Sequence, residues 1–406
     1  MYVNIQQKNC KIIKHSHVRI NPFKQSSLKV ATGLATAGKI SLSKPSTNET
    51  TTDLAAQLAK QAVTNAMQKA NISSVSSVLL FLTSEFANNP QSAIKAAAKT
   101  ANCTQVIGCS ATGIFTDEDW ILDCPAAAAM VFSGDVSLEN VHEPNDNQLL
   151  LTLTAPNAIN TTWLNNKGVR FGGVSGDVIG QGPFSVWENG KGNAQGLCEI
   201  TLKHTRGVVA ATHGLRFLSE PKRITHVNNY DIHTLDGENA LTNLQKAYTQ
   251  NHRQIQHHNE AIPYHQLIAV YADELELIHD GNYHQAILIG CDETYDSVTL
   301  AKCLTENQWL CWAIRDVAIA ASDFKKTAQS LGKSLAKTAP DFGLLFSCLA
   351  RGPYLYGSQD QDLLQLRELY PNMPFIGFYG NGEIAPINGK NELLQYSAVL
   401  GLFKAE

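Results

Sequence analysis

The chain has 406 residues, 44% of them apolar and 17% charged, with a formal net charge of −4. That length exceeds the roughly 100–200 residues of one domain, and the apolar content excludes a disordered chain, so two packed domains are expected. A mildly acidic chain with no Lys/Arg stripe interleaved with aromatics argues against nucleic acid as a partner.

The N-terminal extension, residues 1–28, is irregular and lacks the apolar stretch of a signal peptide. The best apolar run, Cys124 to Phe132, is nine residues, well short of the ~20 that cross a bilayer. Nine cysteines without a C-x-x-C pair read as free thiols. A cytoplasmic protein with no membrane partner is therefore expected.

A Ser/Thr/Asn-rich stretch, Ser41 to Thr52, precedes a helix that Asp53 can cap, with Leu54, Leu58, Ala62, Val63 and Met67 at helical spacing. A strand from Ser77 to Thr83, a helix started by Pro90 and a short strand from Gln105 to Ile107 follow. Next come a glycine-rich turn, Gly108 to Gly113, and an apolar strand from Ala126 to Phe132. The C-terminal end repeats this order. A helix starts near Ser322 and Asp323, then come a strand from Phe342 to Cys348, a helix around Leu363 to Tyr370 and a strand at Phe375 and Ile376. The turn Gly377 to Gly382 and a strand from Ser397 to Phe403 complete the unit. Gly108 and Gly113 precede Gly377 and Gly382 by the same 269 residues.

A looser copy lies between them, where Gly172 to Asp177 follows a strand from Val169 to Phe171, and a hairpin turns at Asn189-Gly190. The expected fold is α/β: two related domains from an internal duplication, residues 29–236 and 237–406, with mixed sheets and flanking helices. The alternative is that strand–glycine turns simply abound in α/β proteins. The boundary follows a strand-rich run ending at Leu235-Asp236-Gly237, after which Ala240, Leu241, Leu244, Ala247 and Tyr248 begin a helix.

Glycine-rich turns after strands let backbone N–H groups meet a ligand without interference from Cβ. Gly172, Gly173, Ser175 and Asp177 in one turn, and Gly377, Gly380 and Gly382 in another, are thus candidate ligand-binding residues. None of the turns has the pattern of a Walker or dinucleotide loop. Cys348, Arg351, Tyr379 and Glu383 follow buried-type strands. Arg351 can clamp a carboxylate, and Glu383 can take an amine or pair with Arg351, the plainer reading being an internal salt bridge beside a structural cysteine. Cys348 is a candidate nucleophile only if a base lies near it in space. His213, before Gly214 on a strand pattern, is a candidate axial ligand, with a satisfied core histidine as the alternative. His252, His257 and His258 sit in polar sequence, and His142, His204 and His226 are the remaining choices for an axial nitrogen.

Five segments carry a family resemblance: Val106 to Gly113, Phe171 to Asp177, Leu235 to Ala240, Leu345 to Gly352 and Gly377 to Ile384. In this order they resemble the FIST family, with a FIST N-like half and a FIST C-like half. Ile114 departs from the pattern, standing where family members often have an acidic residue. The resemblance implies an intracellular small-ligand sensor that acts on a separate signalling partner. Its sharpest form is a haem-containing nitric-oxide sensor regulating a histidine kinase or cyclic-di-GMP enzyme. An enzyme built on Cys348, Arg351 and Glu383 and a non-sensing interaction scaffold are the alternatives.

Overall fold

A computed structural model describes residues 28–39, 51–141, 143–252, 262–335, 339–357 and 359–406. The lead-in through Ser27, the stretch 40–50, and His142, His257 and His258 lie outside the described residues.

Three copies of one strand pattern build the core of the molecule. In the first, strands Lys29–Thr36, Ala126–Ser133, Ser77–Thr83 and Val106–Ala111 lie side by side in that order. In the third, Thr205–Thr212, Ala398–Ala405, Phe342–Cys348 and Phe375–Gly380 take the same order. In the second, Ser137–Asn140, Leu197–Lys203, Leu149–Thr154 and Val169–Val174 do likewise. In every copy the last two strands are parallel, joined by a crossover, and the other pairings are antiparallel.

Register makes the equivalence residue by residue. Gly108 lies opposite Leu80, Gly172 opposite Thr152 and Gly377 opposite Leu345. At each position a Cβ would come within 1.7–1.9 Å of the facing residue's carbonyl oxygen, so only glycine permits the approach. The internal duplication is therefore present, and a third copy extends it.

Each copy also gives away a hairpin. Gly113–Thr116 with Trp120–Leu122, from the first copy, completes the third sheet beside Phe375–Gly380. Val186–Glu188 with Lys191–Gly192, from the second, completes the first sheet beside Val106–Ala111. Glu383–Ile387 with Lys390–Leu394, from the third, completes the second sheet beside Val169–Val174. The exchange is cyclic. The three inner faces share one apolar core, in which Phe81 and Phe346 both pack on Phe378, and Phe171 on Phe346, with ring centroids 5.1–6.2 Å apart. Truncating one such ring to alanine costs about 3–5 kcal/mol. Helices Thr51–Ala70 and Gln91–Ala101 cover the outer face of the first sheet, and Val317–Leu335 and Gln361–Leu369 that of the third.

Residues 215–315 are inserted into the third copy, between its first strand and first helix. Strands Trp309–Arg315, Lys222–Asn228, Asp231–Leu235, Ser297–Leu300, His284–Asp292 and Leu267–Ala272 pair antiparallel in a closed ring, packed with helix Ala240–His252. The boundary expected between residues 236 and 237 falls in a tight turn of this insert. Asp236 and Gly237 both have positive φ there, and strand Asp231–Leu235 pairs with Glu238–Asn239 across the turn.

The glycine-rich segments needed correction. Gly108, Gly172, Gly173, Gly377 and Gly380 lie within strands, and the strand expected to stop at Ile376 runs on to Gly380. The helix expected near Ser322 starts five residues earlier, at Val317. No helix among the described residues is long and apolar enough to cross a membrane. Gly377→Ala is expected to destabilise the protein by about 3 kcal/mol, because its Cβ would strike the Leu345 carbonyl. Gly290→Ala, with nothing within 4 Å, should change stability by less than about 0.5 kcal/mol. Denaturant titration of both variants checks this, and equal effects would contradict the close approach.

Candidate functional site

The carboxyl ends of the third sheet's strands carry the unusual chemistry. Thr212, Ala398, Ser347 and Tyr379 stand at one register position across four adjacent strands. Neighbours in register share a face; here it is the face of Leu345 and Leu400, turned toward helices Val317–Leu335 and Gln361–Leu369. The corresponding row of the first sheet reads Ala35, Ala127, Leu82 and Ser110.

Arg351 follows strand Phe342–Cys348 and is fully buried. Its Nε donates to Asp362 Oδ2 at 2.6 Å and its Nη2 to Oδ1 at 3.3 Å, while Nη1 and Nη2 also reach the carbonyls of Thr212 and Ala320. The expected Arg351–Glu383 pair is thus replaced by Arg351–Asp362. The Tyr356 hydroxyl donates to Asp362 at 2.7 Å, and the Tyr379 hydroxyl donates to Asp360 at 2.5 Å. Asp360 also caps helix Gln361–Leu369, accepting from the amides of Asp362 and Leu363. Burial, with the nearby Asp362 charge, raises the Asp360 carboxyl to about 7.

Glu383 enters from the exchanged hairpin, opposite Gly173. The Ser397 hydroxyl donates to its Oε2 at 2.7 Å, and its Oε1 has no partner. Burial raises its carboxyl well above the usual range, against the opposing pull of Ser397 and Arg351. The equivalent hairpin position is Ile114 in the first copy, opposite Phe378, and Val186 in the second, opposite Cys109. Two copies fill this position with an aliphatic side chain and the third with a buried acid. The departure at Ile114 is therefore a difference between copies of the same element.

Four buried side-chain atoms of this region have no hydrogen-bond partner among the described residues: Thr212 Oγ1, His213 Nδ1, Ser347 Oγ and Glu383 Oε1. Each unsatisfied buried group costs about 1–3 kcal/mol, and the first copy shows that the fold does not require them. Such atoms call for a bound partner, a ligand or an ordered water. His213 is 5% exposed, with its ring 5.2 Å from that of Tyr283. Burial, aided by the Arg351 and His284 charges, lowers it to about 3, so the ring is neutral. Burial, with Glu383 close by, pushes the Cys348 thiol up to about 12, which withholds a thiolate from the candidate nucleophile.

The remaining candidates are distributed differently. Ser175 is buried and donates to the Ser110 carbonyl at 2.6 Å. Asp177 ties down its own loop by accepting from the amides of Gly180 and Gly182. Gly172 and Gly173 press on Thr152 and on the Phe378 ring, and Gly380 on the Val174 carbonyl. Gly382 accepts from the Val174 amide, which joins the second and fifth sequence motifs. Sequence reading missed Thr212, Ser347, Tyr356, Asp360, Asp362 and Ser397. The Asp360-Gln-Asp362 run before Leu363 was the one available signal, since an Asp ahead of an apolar helix marks a cap.

Fold and site define a multi-sheet α/β protein with a buried, partly unsatisfied polar cluster at its strand ends. The FIST N domain matches residues 76–238 and the FIST C domain residues 240–386, so the chain belongs to the FIST family. FIST domains are small-ligand sensory domains. The chain is 28% identical over 210 residues to a Mycobacterium bovis protein, and 26% identical over 209 residues to one from Mycobacterium tuberculosis, both described as uncharacterized. Each match covers 51% of this chain and 53% or 54% of the relative, about half the length of the curated relatives.

Glu383→Gln keeps the shape and the Ser397 contact without an ionisable proton. A raised native pKa means the unfolded chain releases its Glu383 proton first, so wild-type stability falls as pH rises above about 4.5, by up to ~1.4 kcal/mol per unit. The variant should match wild type near pH 4 and exceed it at pH 8 in denaturant titrations. Parallel pH profiles would contradict a buried, neutral Glu383.

Proposed function

We propose that the protein is a small-ligand sensor whose ligand engages the polar cluster of the third copy and whose output passes to a separate signalling protein. The observation that carries this reading is the set of four unpartnered buried atoms, in one copy of a repeated fold whose first copy fills the equivalent positions largely with apolar residues. Membership in the FIST family supports it. An intracellular setting and a histidine kinase or cyclic-di-GMP enzyme as the partner belong to the same proposal.

Haem, with His213 as the axial nitrogen and nitric oxide as the signal, is its sharpest form. A neutral ring with an unpartnered Nδ1 is what such a ligand needs. The surroundings fit a porphyrin poorly in this arrangement. Tyr283 packs against the ring, tilted by 39°, and the space at Gly214, where a planar group was expected to approach, is taken by Ala320, whose Cβ would lie 2.5 Å from a Cβ at Gly214.

The test is a thermal-shift panel of small metabolites, with haem included and read by absorption. At least one compound should raise the wild-type melting temperature and act about tenfold more weakly on Ser347→Ala. A panel that shifts nothing, or shifts both proteins equally, would overturn the sensory site. A Soret band lost in His213→Ala would support the haem form, and no Soret band in wild type would remove it.

A further inference from the structure

A cleft of about 220 Å³ opens where the inserted ring meets the third copy, between His284–Ile287 with Ala301 and Lys302 on one side and Glu392–Tyr396 on the other. Both walls continue, one residue along the chain, into the buried cluster. Tyr283, next to His284, packs on His213. Ser397, next to Tyr396, hydrogen-bonds Glu383, and its carbonyl accepts from the Cys348 amide at 3.0 Å. A molecule seated in this cleft therefore touches His284 and Tyr396, the chain neighbours of two residues that frame the cluster.

Two donors at the cleft are uncommitted. Lys302 has no ion-pair partner among the described residues, and Gln285 has a buried terminal nitrogen without an acceptor. Arg315 lies 4.1 Å above the Tyr396 ring, and its hydrogen bond to the Ala350 carbonyl is long, at 3.4 Å. Glu392, the carboxylate of the lining, lies 3.6 Å from His284, whose ring burial drives toward the neutral form. Tyr396 holds a φ of 59°, unusual for a bulky residue and common where a functional arrangement overrides local preference. Leu393 and Ile287 add apolar surface. An engineered apolar cavity of about 150 Å³ holds benzene, so this cleft admits a slightly larger molecule.

We propose that this cleft is the mouth of the sensory site and takes a small monocarboxylate with an apolar body, its carboxylate on Lys302 and Gln285. The proposal rests on the sensory reading and adds to it the entrance and the sign of the ligand. Binding across the junction couples the inserted ring to the third sheet through Tyr283 and Ser397.

Benzoate is the probe, with benzyl alcohol and benzylamine as neutral and cationic controls, titrated calorimetrically into the full chain. Wild type should bind benzoate at least tenfold more tightly than either control. Lys302→Ala with Gln285→Leu should erase that preference, bringing benzoate down to the weak binding of benzyl alcohol, without lowering the melting temperature. Added salt should weaken benzoate alone, because an exposed lysine is screened. Benzylamine binding as tightly as benzoate, or benzoate binding the double variant equally, would overturn the assignment. If benzoate fails while a panel compound still acts through Ser347, the cleft proposal falls and the sensory reading stands. If nothing binds, both fall.

Discussion

None of the three sheets is complete without a hairpin from another copy. The first depends on Val186–Glu188, the second on Glu383–Ile387 and the third on Gly113–Thr116. A strand edge left open in a packed core would strand backbone donors and acceptors, so each sheet's pairing is completed only by another copy. The exchange also explains the position of Glu383, which is carried on the third copy's hairpin into the second sheet while Ser397 ties it back to the third. A residue held this way sits at the junction of two copies.

The repeated architecture supplies its own control. Where the third copy buries Thr212, Ser347, Tyr379 and Glu383, the first has Ala35, Leu82, Ser110 and Ile114. Two carboxyl groups raised by burial, a neutral histidine and a thiol that stays protonated leave Arg351–Asp362 as the one salt bridge of the cluster. Breaking a buried pair on one side costs about 3–5 kcal/mol, which makes Arg351 a structural anchor as well as a neighbour of the site. The inserted ring then roofs this region, bringing Tyr283 onto His213 and Arg315 onto Tyr396.

Local patterns in the sequence carried much of the fold. Strand Phe342–Cys348 is apolar but for Ser347 and matched its expected limits, and the shared spacing of two glycine pairs disclosed the duplication. The glycines themselves misled, because a glycine demanded by a facing carbonyl looks the same in sequence as one demanded by a turn. The second copy was faint because it has only a short helix, Thr161–Leu164, between its parallel strands and a loop where the first copy has helix Thr51–Ala70. Closure of the inserted ring depends on Trp309–Arg315 meeting both Leu267–Ala272 and Lys222–Arg223, a tertiary event with no local signal. Arg351 was paired with the wrong acid for a similar reason, since only the tertiary fold brings helix Gln361–Leu369 and its Asp362 onto Arg351 and carries Glu383 into the second sheet.

The central claim is that the polar atoms of the third copy are kept for a ligand at the expense of the fold. Thr212→Val together with Ser347→Ala removes two unpartnered buried hydroxyls with little change in volume. Denaturant unfolding of this double variant, free of ligand, tests the claim most directly. The account predicts a stability equal to wild type or higher by about 1–3 kcal/mol, the cost of unsatisfied buried groups. A loss of stability of similar size would contradict it, because the hydroxyls would then belong to the scaffold itself.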